Sequence, residues 1–386
     1  MTLPLYRDNG FPGGYLPRDA NAGLWYDKFC DRWQVAAGEW SLPGQGKSGK
    51  SCKSEWIGTV TGTSVGDGKR IVESVSRLAG LVAALGGQVR FVRTVGRFVT
   101  GMGREHPVEN GFAWHHTLGT PFLPGTSVKG VTRAWATSWW DGWKSETEKQ
   151  AALARVFGPE HSDSKASGSV IFFDLLPAAP VKLEADVMTP HYQDYYREDT
   201  RTKPPADWDS PIPVPFLTVV AGQLFVVAVA PRRQEDAQAR QDAAQAGTWL
   251  LEALEQLGAG AKTSVGYGCF RVDQEAERSW QEEKVRIEAE EARAAALAAM
   301  SPVRLEMEQD GYSGNPDRFM ESLSAKWLAR MDSESELPVV RREIAQLLAD
   351  WYRKYRPDQW ERPRGKNEAK VNRIRRALEP APGETR

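Results

Sequence analysis

The order of strand and helix patterns between residues 88 and 273 is the feature that most limits how this chain can fold. Apolar runs and helical periodicity predict a strand, a helix, a strand, a long insertion, a strand, a helix, a Gly-rich loop and a closing strand. This is the β-α-β-β-α-β order of a ferredoxin-like domain. The sequence therefore predicts an α+β fold with a ferredoxin-like, RRM-like core, a long insertion and helical additions at both ends.

The length of 386 residues is too great for one small core and indicates more than one folded region. Residues 1–87 are predicted to form an extended arm and helices packed on the core. Residues 88–273 form the ferredoxin-like domain, and residues 274–386 form a helical extension. The insertion at 175–215 is dense in Pro, Asp and Tyr, departs from regular structure, and is expected to be functional or docked against a partner.

Charge and cysteine content limit the class of protein. The chain has 50 Lys and Arg against 51 Asp and Glu, so nucleic-acid binding would have to come from local patches. Cys30, Cys52 and Cys269 are too widely spaced for a zinc site or a disulfide framework, which favours reducing cytosol. The first residues do not show a secretory signal pattern, and a cytoplasmic protein without membrane contact is expected.

The stretch from residue 122 to residue 135 is predicted to begin a helix beside an anion site. Pro124 and Gly125 end the preceding segment, and Thr126 or Ser127 can cap a helix. Lys129 and Arg133, four residues apart, then share a face near the helix N-terminus, and Gly130 between them leaves room for a ligand backbone. The alternative is an ordinary capped helix with two solvated cations.

A second candidate site is the Gly-rich loop, residues 258–268, between the last helix and the closing strand. It contains Gly258, Gly260, Gly266 and Gly268 together with Lys262, Thr263 and Ser264. Such a loop can fold into a nest of backbone N–H groups that holds phosphates. A simple helix C-cap followed by a glycine turn is the weaker interpretation, because the loop has more glycine than a turn needs.

A P-loop spelling, G-x-x-x-x-G-K-S, occurs at residues 44–51 and ends in Lys50 and Ser51. The residues before it do not form a hydrophobic strand, and the residues after it form a polar, Gly-rich run. The prediction is therefore a flexible basic loop. A P-loop NTPase that uses Lys50, Ser51 and Asp174 remains an alternative hypothesis. His106, His115 and His116 show no metal-ligand spacing, so no metal is predicted.

The stretch from residue 353 to residue 376 is strongly basic, with ten Lys and Arg against three acidic residues. Counterion release would let such a patch hold a nucleic-acid backbone without sequence readout. A solvated helix at the end of the chain is the alternative.

Several of these stretches resemble one family of proteins. Residues 123–130, followed by Arg133, resemble the signature of the RAMP superfamily of CRISPR proteins, and residues 258–268 resemble its C-terminal Gly-rich loop. Residues 21–29, 186–192 and 211–216 are similar to motifs of the sixth-subunit family of type III-B (Cmr) effector complexes, in that family's order. The resemblance spans residues 15–272 and does not cover the helical extension.

The resemblance implies a non-catalytic RNA-binding subunit of an antiviral ribonucleoprotein that holds guide RNA toward its 3′ part and helps present it to target RNA. It implies guide RNA, target RNA and other Cmr subunits, including the backbone RAMP subunit, as partners, and no cofactor. A purely structural assembly scaffold remains an alternative. The RNA-facing residues that the resemblance implies are Gly125, Ser127, Lys129, Arg133, Gly258, Gly260, Lys262, Thr263, Ser264, Gly266 and Gly268.

Overall fold

The structure is a computed structural model that describes residues 16, 20–36, 39–46, 48–159, 166–192, 195, 206 and 210–379. The chain divides into two compact units, Met1–Ser279 and Trp280–Arg386. The predicted boundary at residue 87 stays a prediction, because the residues on both sides of it belong to the first unit. Most of the predicted arm before residue 20 lies outside the described residues.

The first unit mixes strands and helices. Its described strands are β1 (Gln34–Ala36), β2 (Glu39–Ser41), β3 (Ser64–Val65), β4 (Gln88–Thr94), β5 (Val170–Phe172), β6 (Leu176–Pro177), β7 (Val181–Met188), β8 (Val214–Val219), β9 (Leu224–Pro231) and β10 (Phe270–Val272). Its described helices are α1 (Ala22–Lys28), α2 (Cys52–Gly58), α3 (Gly68–Ala84), α4 (Gly125–Ser138), α5 (Glu146–Phe157), α6 (Ala237–Gln256) and α7 (Gln274–Ala298), which continues past residue 279. The predicted α+β class is confirmed.

The main sheet has the strand order β10-β4-β9-β5, with every neighbouring pair antiparallel and β6 also paired with β9. The strands of this sheet and the two helices that connect them follow one another along the chain as β4, α4, β5, β9, α6 and β10, which is the predicted order. The central strand β9 is buried from Phe225 to Pro231, because helices pack against it and the neighbouring strands flank it. This buried sheet fixes the ends of α4 and α6, the two helices that flank the candidate site.

A second sheet has the order β3-β7-β8 and corrects one prediction. The insertion at 175–215 was expected to lack regular structure, but β7 is an eight-residue strand inside it. Val181 and Leu183 are buried while Lys182 between them is exposed, the period-2 pattern of a half-buried strand. The rest of the insertion from residue 193 to residue 209 lies outside the described residues, apart from Tyr195 and Ala206.

The second unit is helical, as predicted. Its described helices are α8 (Pro302–Gln309), α9 (Pro316–Ser322), a π-helical turn (Leu323–Trp327), α10 (Leu328–Asp332), α11 (Pro338–Tyr355), α12 (Pro357–Glu361) and α13 (Lys366–Leu378). The unit has its own apolar core, in which Phe319, Trp327 and Trp351 are fully buried. Among all the described helices, none carries an apolar run that would reach across a lipid bilayer.

Candidate nucleic-acid interface

An open groove of about 620 Å³ lies between α4 and the Gly-rich loop. Its walls come from the loop at 100–104, the exposed side of α4 and the beginning of the Gly-rich loop. The groove brings together Ser127 and Gly130 of α4 with Gly258, Gly260 and Thr263. Two stretches that the sequence marked separately, more than 100 residues apart, therefore form one surface feature.

The beginning of α4 is capped by a residue that was not predicted to do so. Asp174, which follows β5, accepts a hydrogen bond of 2.6 Å from the amide of Gly125. The N-cap position is Pro124, and neither Thr126 nor Ser127 caps the helix, which corrects the sequence prediction. A Cβ atom at residue 125 would lie 2.5 Å from the carbonyl oxygen of Phe172, so glycine is required there for packing on the sheet.

The two cations of α4 lie on a different side of the helix from the groove. Because each residue advances the helix by about 100°, Lys129 and Arg133 share a flank that is turned away from Ser127 and Gly130. Burial and the charges of Arg133 and Arg232 lower the pKa of Lys129. The described lining of the groove includes neither Lys129 nor Arg133. Lys129 and Arg133 instead lie on the opposite flank of α4, where the charge of Arg232 also acts on Lys129.

The Gly-rich loop is held by backbone hydrogen bonds to the segment that follows β4. The amide of Ala261 donates to the carbonyl of Val99 at 2.8 Å, and the amide of Gly268 donates to that of Arg97 at 2.7 Å. A Cβ atom at residue 260 would lie 2.1 Å from the carbonyl oxygen of Val99, so glycine allows this close contact. Part of the glycine content therefore serves packing, which the sequence analysis had ranked as the weaker interpretation.

The same loop also has backbone donors that no group of the described structure uses, two of them at the groove-lining residues Gly260 and Thr263. Within the described structure, the amides of Gly260, Lys262, Thr263 and Ser264 donate no hydrogen bond to another protein group. Lys262 has a left-handed conformation, with φ of 60°, and precedes a single 3₁₀ turn at Thr263–Val265. Successive amides in such turns can point in one direction and bind an anion. The amides without a partner lie at Gly260 and at residues 262–264, and an anion-binding nest there stays a prediction.

The side chain of Lys262 lies beside the second sheet. Its Nζ is 5.4 Å from the centroid of the Phe216 ring. Burial alone would raise the pKa of Asp186, but hydrogen bonding from Tyr267 and the charges of Arg97 and Lys262 together lower it. Lys262 and Lys129 therefore have different neighbours, and neither lines the groove. An RNA-binding role for either lysine stays a prediction.

Comparison with known proteins identifies the family. The model of the RAMP superfamily matches residues 61–271, more than half of the chain. The chain belongs to the RAMP superfamily. Membership implies a ferredoxin-like core, in agreement with the strand order of the main sheet. The helical unit after residue 280 lies beyond the matched region.

Within the RAMP superfamily, the chain is similar to subunit Cmr6 of the CRISPR system Cmr from Pyrococcus furiosus. The two are 32% identical over 228 residues, which cover 46% of this chain and 65% of that protein. The matched region therefore spans just under two thirds of the relative's length. The resemblance to the sixth-subunit family of type III-B complexes is confirmed at the level of sequence similarity.

Two solved structures are also similar to this RAMP protein. The crystal structure of Cmr6 from Pyrococcus furiosus matches with 28% identity and a TM-score of 0.30, over 48% of this chain and 97% of that one. A chain in the cryo-EM structure of type III-B Cmr-beta bound to cognate target RNA matches with 22% identity and a TM-score of 0.44. This match covers 57% of the RAMP protein described here and 71% of the other chain.

Arg104 is a groove residue of the RAMP protein that the sequence analysis did not single out. It belongs to the loop at 100–104 and is the charged residue in the described lining of the groove. A Cβ atom at Gly111 would lie 2.3 Å from the carbonyl oxygen of Arg104, so this glycine lets the loop fold back on itself. The signal was one arginine in a loop between two glycines, which does not by itself indicate a ligand.

The P-loop hypothesis is contradicted by the geometry of residues 44–51. The carboxylate of Glu55 lies inside this loop and accepts hydrogen bonds from the amide and hydroxyl of Ser48. A negative group therefore occupies the place where nucleotide phosphates would bind. The preceding strand β2 has three residues and pairs with β1, not with a buried parallel sheet. Asp174, the third residue of the NTPase hypothesis, caps α4 instead.

The helix after this loop also corrects a prediction. Residues 53–68 were expected to be an irregular polar run, but α2 begins at Cys52 with the Ser51 side chain as its N-cap. Trp56 and Ile57 of α2 are buried. Their packing stabilises the helix, although the polar composition of this stretch does not predict one. Elsewhere, no group of three or more His, Cys, Asp or Glu in the described residues is placed to hold a metal ion.

Proposed function

We propose that this RAMP protein is the Cmr6-like subunit of a type III-B CRISPR RNA-targeting complex. In this role it holds guide RNA toward its 3′ part and helps present the guide to target RNA in antiviral defence. Sequence similarity to Cmr6 of Pyrococcus furiosus supports membership of the complex. The partners in the proposal are guide RNA, target RNA and other Cmr subunits, including the backbone RAMP subunit, in the cytoplasm.

The groove between α4 and the Gly-rich loop is the observation that carries the proposal. Its lining includes the hydroxyl residues Ser127 and Thr263, the cationic residue Arg104, and the amides of Gly260 and Thr263, which donate to no other group of the described structure. All these groups donate hydrogen bonds, which matches the phosphates and 2′-hydroxyls of a ribose-phosphate chain. Contacts of this kind position RNA without reading its sequence, as a protein that serves many guides requires.

We further propose that the subunit holds RNA without cutting it. General acid–base cleavage requires a histidine, a carboxylate or a similar group near the scissile phosphate. The described lining of the groove supplies neither histidine nor carboxylate side chains. Its hydroxyls, amides and single guanidinium suit binding. Incubation of the purified chain with labelled target RNA should leave that RNA intact, and specific cleavage would contradict this part of the proposal.

Gly130→Glu is the sharpest test of the groove. A Cβ atom at residue 130 has nothing within 4 Å, so glutamate fits and puts a negative charge into the groove. The helix itself should gain stability, since glycine is unfavourable in a helix interior. We expect RNA to bind about tenfold more weakly, which corresponds to about 1.4 kcal/mol of repulsion. Fluorescence anisotropy with single-stranded RNA of guide length measures this affinity.

Gly80→Glu in α3 is the matched control. Gly80 is an exposed helical glycine with the same free space around its Cβ position. The control therefore has the same change of charge and the same gain in helix propensity, and we expect its RNA affinity to match that of the wild type. Equal RNA affinity of the two glutamate variants would exclude the groove as the RNA site. Co-expression with the other Cmr subunits and small RNAs then tests membership of the complex.

A further inference from the structure

The second unit carries a strongly basic surface that the proposed function does not use. Between residues 353 and 376 there are ten Lys and Arg residues and three acidic residues, and the cations lie at the end of α11, on both sides of α12 and in α13. This stretch lies beyond the region that the RAMP superfamily matches. Like charges that are this dense on a folded surface repel each other. Cations that pair with groups of the fold offset this repulsion, whereas unpaired cations do not stabilise the fold.

Some of the cations have a structural role. Arg356 pairs with Asp317 at the beginning of α9, and Arg373 pairs with Asp332 at the end of α10. Lys370 donates a hydrogen bond of 2.6 Å to the hydroxyl of Ser324. These contacts join α13 and the end of α11 to α9, the π-helical turn and α10. The folding of the helical unit therefore accounts for them.

A second group of cations has no such role. The side chains of Arg362, Arg364 and Lys366 are exposed, and no carboxylate of the described structure pairs with them. They lie on the short connection from α12 into α13, where Gly365 has a φ of 57° and turns the chain. Three charges within five residues are thus held at one corner of the unit, and the fold does not need them.

An aromatic side chain lies next to this corner, between two arginines. The guanidinium carbons of Arg353 and Arg375 are 5.2 and 5.1 Å from the centroid of the half-buried Trp360 ring. Arg375 also donates a hydrogen bond to the carbonyl of Trp360. The contacts with the ring restrict both guanidinium groups, so less conformational entropy is lost when they bind a ligand. Planar guanidinium groups beside an aromatic ring are suited to stacking on nucleobases as well as to pairing with phosphates.

We propose that this surface, which we call the α12 corner (Arg353, Trp360, Arg362, Arg364, Lys366 and Arg375), is a second RNA-binding site. It binds single-stranded RNA without sequence preference, through phosphate contacts of the unpaired cations and stacking at the guanidinium groups over Trp360. An acidic protein segment would need the same positive charge but would not use stacking. The aromatic and guanidinium arrangement therefore favours RNA.

The test neutralises the three cations that the fold does not use. In the full chain, Arg362→Gln, Arg364→Gln and Lys366→Gln are combined, and RNA affinity is measured across a range of salt concentrations. Three lost phosphate contacts should make the slope of log affinity against log salt shallower by about 2 for a single strand. Affinity at low salt should fall by about tenfold or more, while the thermal unfolding midpoint stays unchanged.

The matched control removes three cations from the exposed helix α7, by Lys284→Gln, Arg286→Gln and Arg293→Gln. These residues are exposed and belong to a helix without buried residues. Replacing three cations by glutamine changes the net charge by the same amount as in the α12 corner variant. We expect a wild-type salt slope for this control. As a second measurement, ultraviolet crosslinking of bound RNA should give adducts in the peptide from residue 353 to residue 366.

The outcomes separate this inference from the proposed function. An unchanged salt slope in the α12 corner variant, or the same loss in the α7 control, would overturn the second site. Loss of binding to an acidic protein subunit with RNA affinity retained would assign the surface to a protein and overturn it as well. Gly130→Glu tests the groove alone, so a failure there leaves the result for the α12 corner intact.

Discussion

Replacing Gly268 by alanine is expected to displace the Gly-rich loop and to remove most RNA binding. A Cβ atom at this position would lie 2.0 Å from the carbonyl oxygen of Ala259, which is backbone and cannot rotate away. The backbone at residue 268 is also left-handed, with φ of 75°, which costs about 1–2 kcal/mol for alanine. Together the clash and the backbone cost should destabilise the loop by about 3 kcal/mol or more.

Gly266→Ala in the same loop is the matched control. Gly266 has a φ of 91°, but nothing lies within 4 Å of its Cβ position. This variant has the backbone cost without the clash, so we expect about 1 kcal/mol of destabilisation and RNA affinity close to the wild-type value. Hydrogen exchange of peptides from residues 257–270 measures the loop, and anisotropy measures RNA affinity. Equal effects of the two substitutions would show that the loop is not held in the described conformation.

The two glycines show why the candidate site was only partly predictable. A glycine that is required by backbone contact and one that is required by a ligand look the same in a sequence. The structure separates them: glycine at residue 268 is needed for contact with Ala259, while residue 266 faces open space. The sequence located the loop and its open amides, but it could not show which residues serve packing. That depends on the segment at 97–99, far away along the chain.

The order of strands and helices was predictable because long periodic segments carry a strong local signal. The helical pattern at about 235–257 and the strand pattern at 223–230 correspond to α6 and β9 to within about two residues at each end, the usual uncertainty of helix and strand ends. Two elements within stretches of polar or Pro-rich composition were missed. α2 is stabilised by the burial of Trp56 and Ile57, and β7 by pairing with β8. Their stability comes from tertiary contacts, which a local pattern does not report.

Contacts between residues far apart in sequence explain the remaining differences. Asp174 caps α4 from 49 residues away, so the local sequence around Thr126 does not indicate it. Arg104 enters the groove because its loop folds beside α4. Helical spacing shows which residues of α4 share a face. It does not show which face of α4 lies against the groove. Lys129 and Arg133 were therefore correctly placed on one face of the helix but not in the groove.

Asp242→Asn is expected to destabilise the first unit by about 3 kcal/mol near neutral pH. Asp242 of α6 is 3% exposed, and its carboxylate accepts hydrogen bonds from Arg155, Ser169 and Gln238. The contacts from Arg155 are at 2.9 Å to each oxygen, which makes the pair bidentate. Asparagine has one acceptor oxygen, so it leaves donors of the network without a partner, and breaking a buried pair costs about 3–5 kcal/mol. Because Arg155 is partly exposed and can be rehydrated, the lower end of this range applies.

The size of this effect should depend on pH in a defined direction. Burial alone would raise the pKa of Asp242, but the hydrogen bonds from Arg155, Ser169 and Gln238 lower it below its ordinary value. A group whose pKa is lower in the folded state stabilises the fold above its unfolded pKa, which is about 3.9 for aspartate. This stabilisation is lost as pH falls through the folded pKa. The difference between wild type and Asp242→Asn should therefore be constant near neutral pH and shrink below pH ~4.

Urea titration at several pH values, with pulse hydrogen exchange of α6 peptides at one fixed labelling pH, measures this difference in unfolding free energy. Peptides of α11 in the second unit serve as an internal reference, because the substitution lies in the first unit. Glu255→Gln is the control, since Glu255 and Arg271 form an ion pair in which both side chains are well exposed. Such a pair contributes about 0–1 kcal/mol, so this variant should unfold close to the wild type. A stability loss for Asp242→Asn that persists unchanged at low pH would contradict the prediction. It would show that the negative charge of the Asp242 carboxylate does not account for the stabilisation.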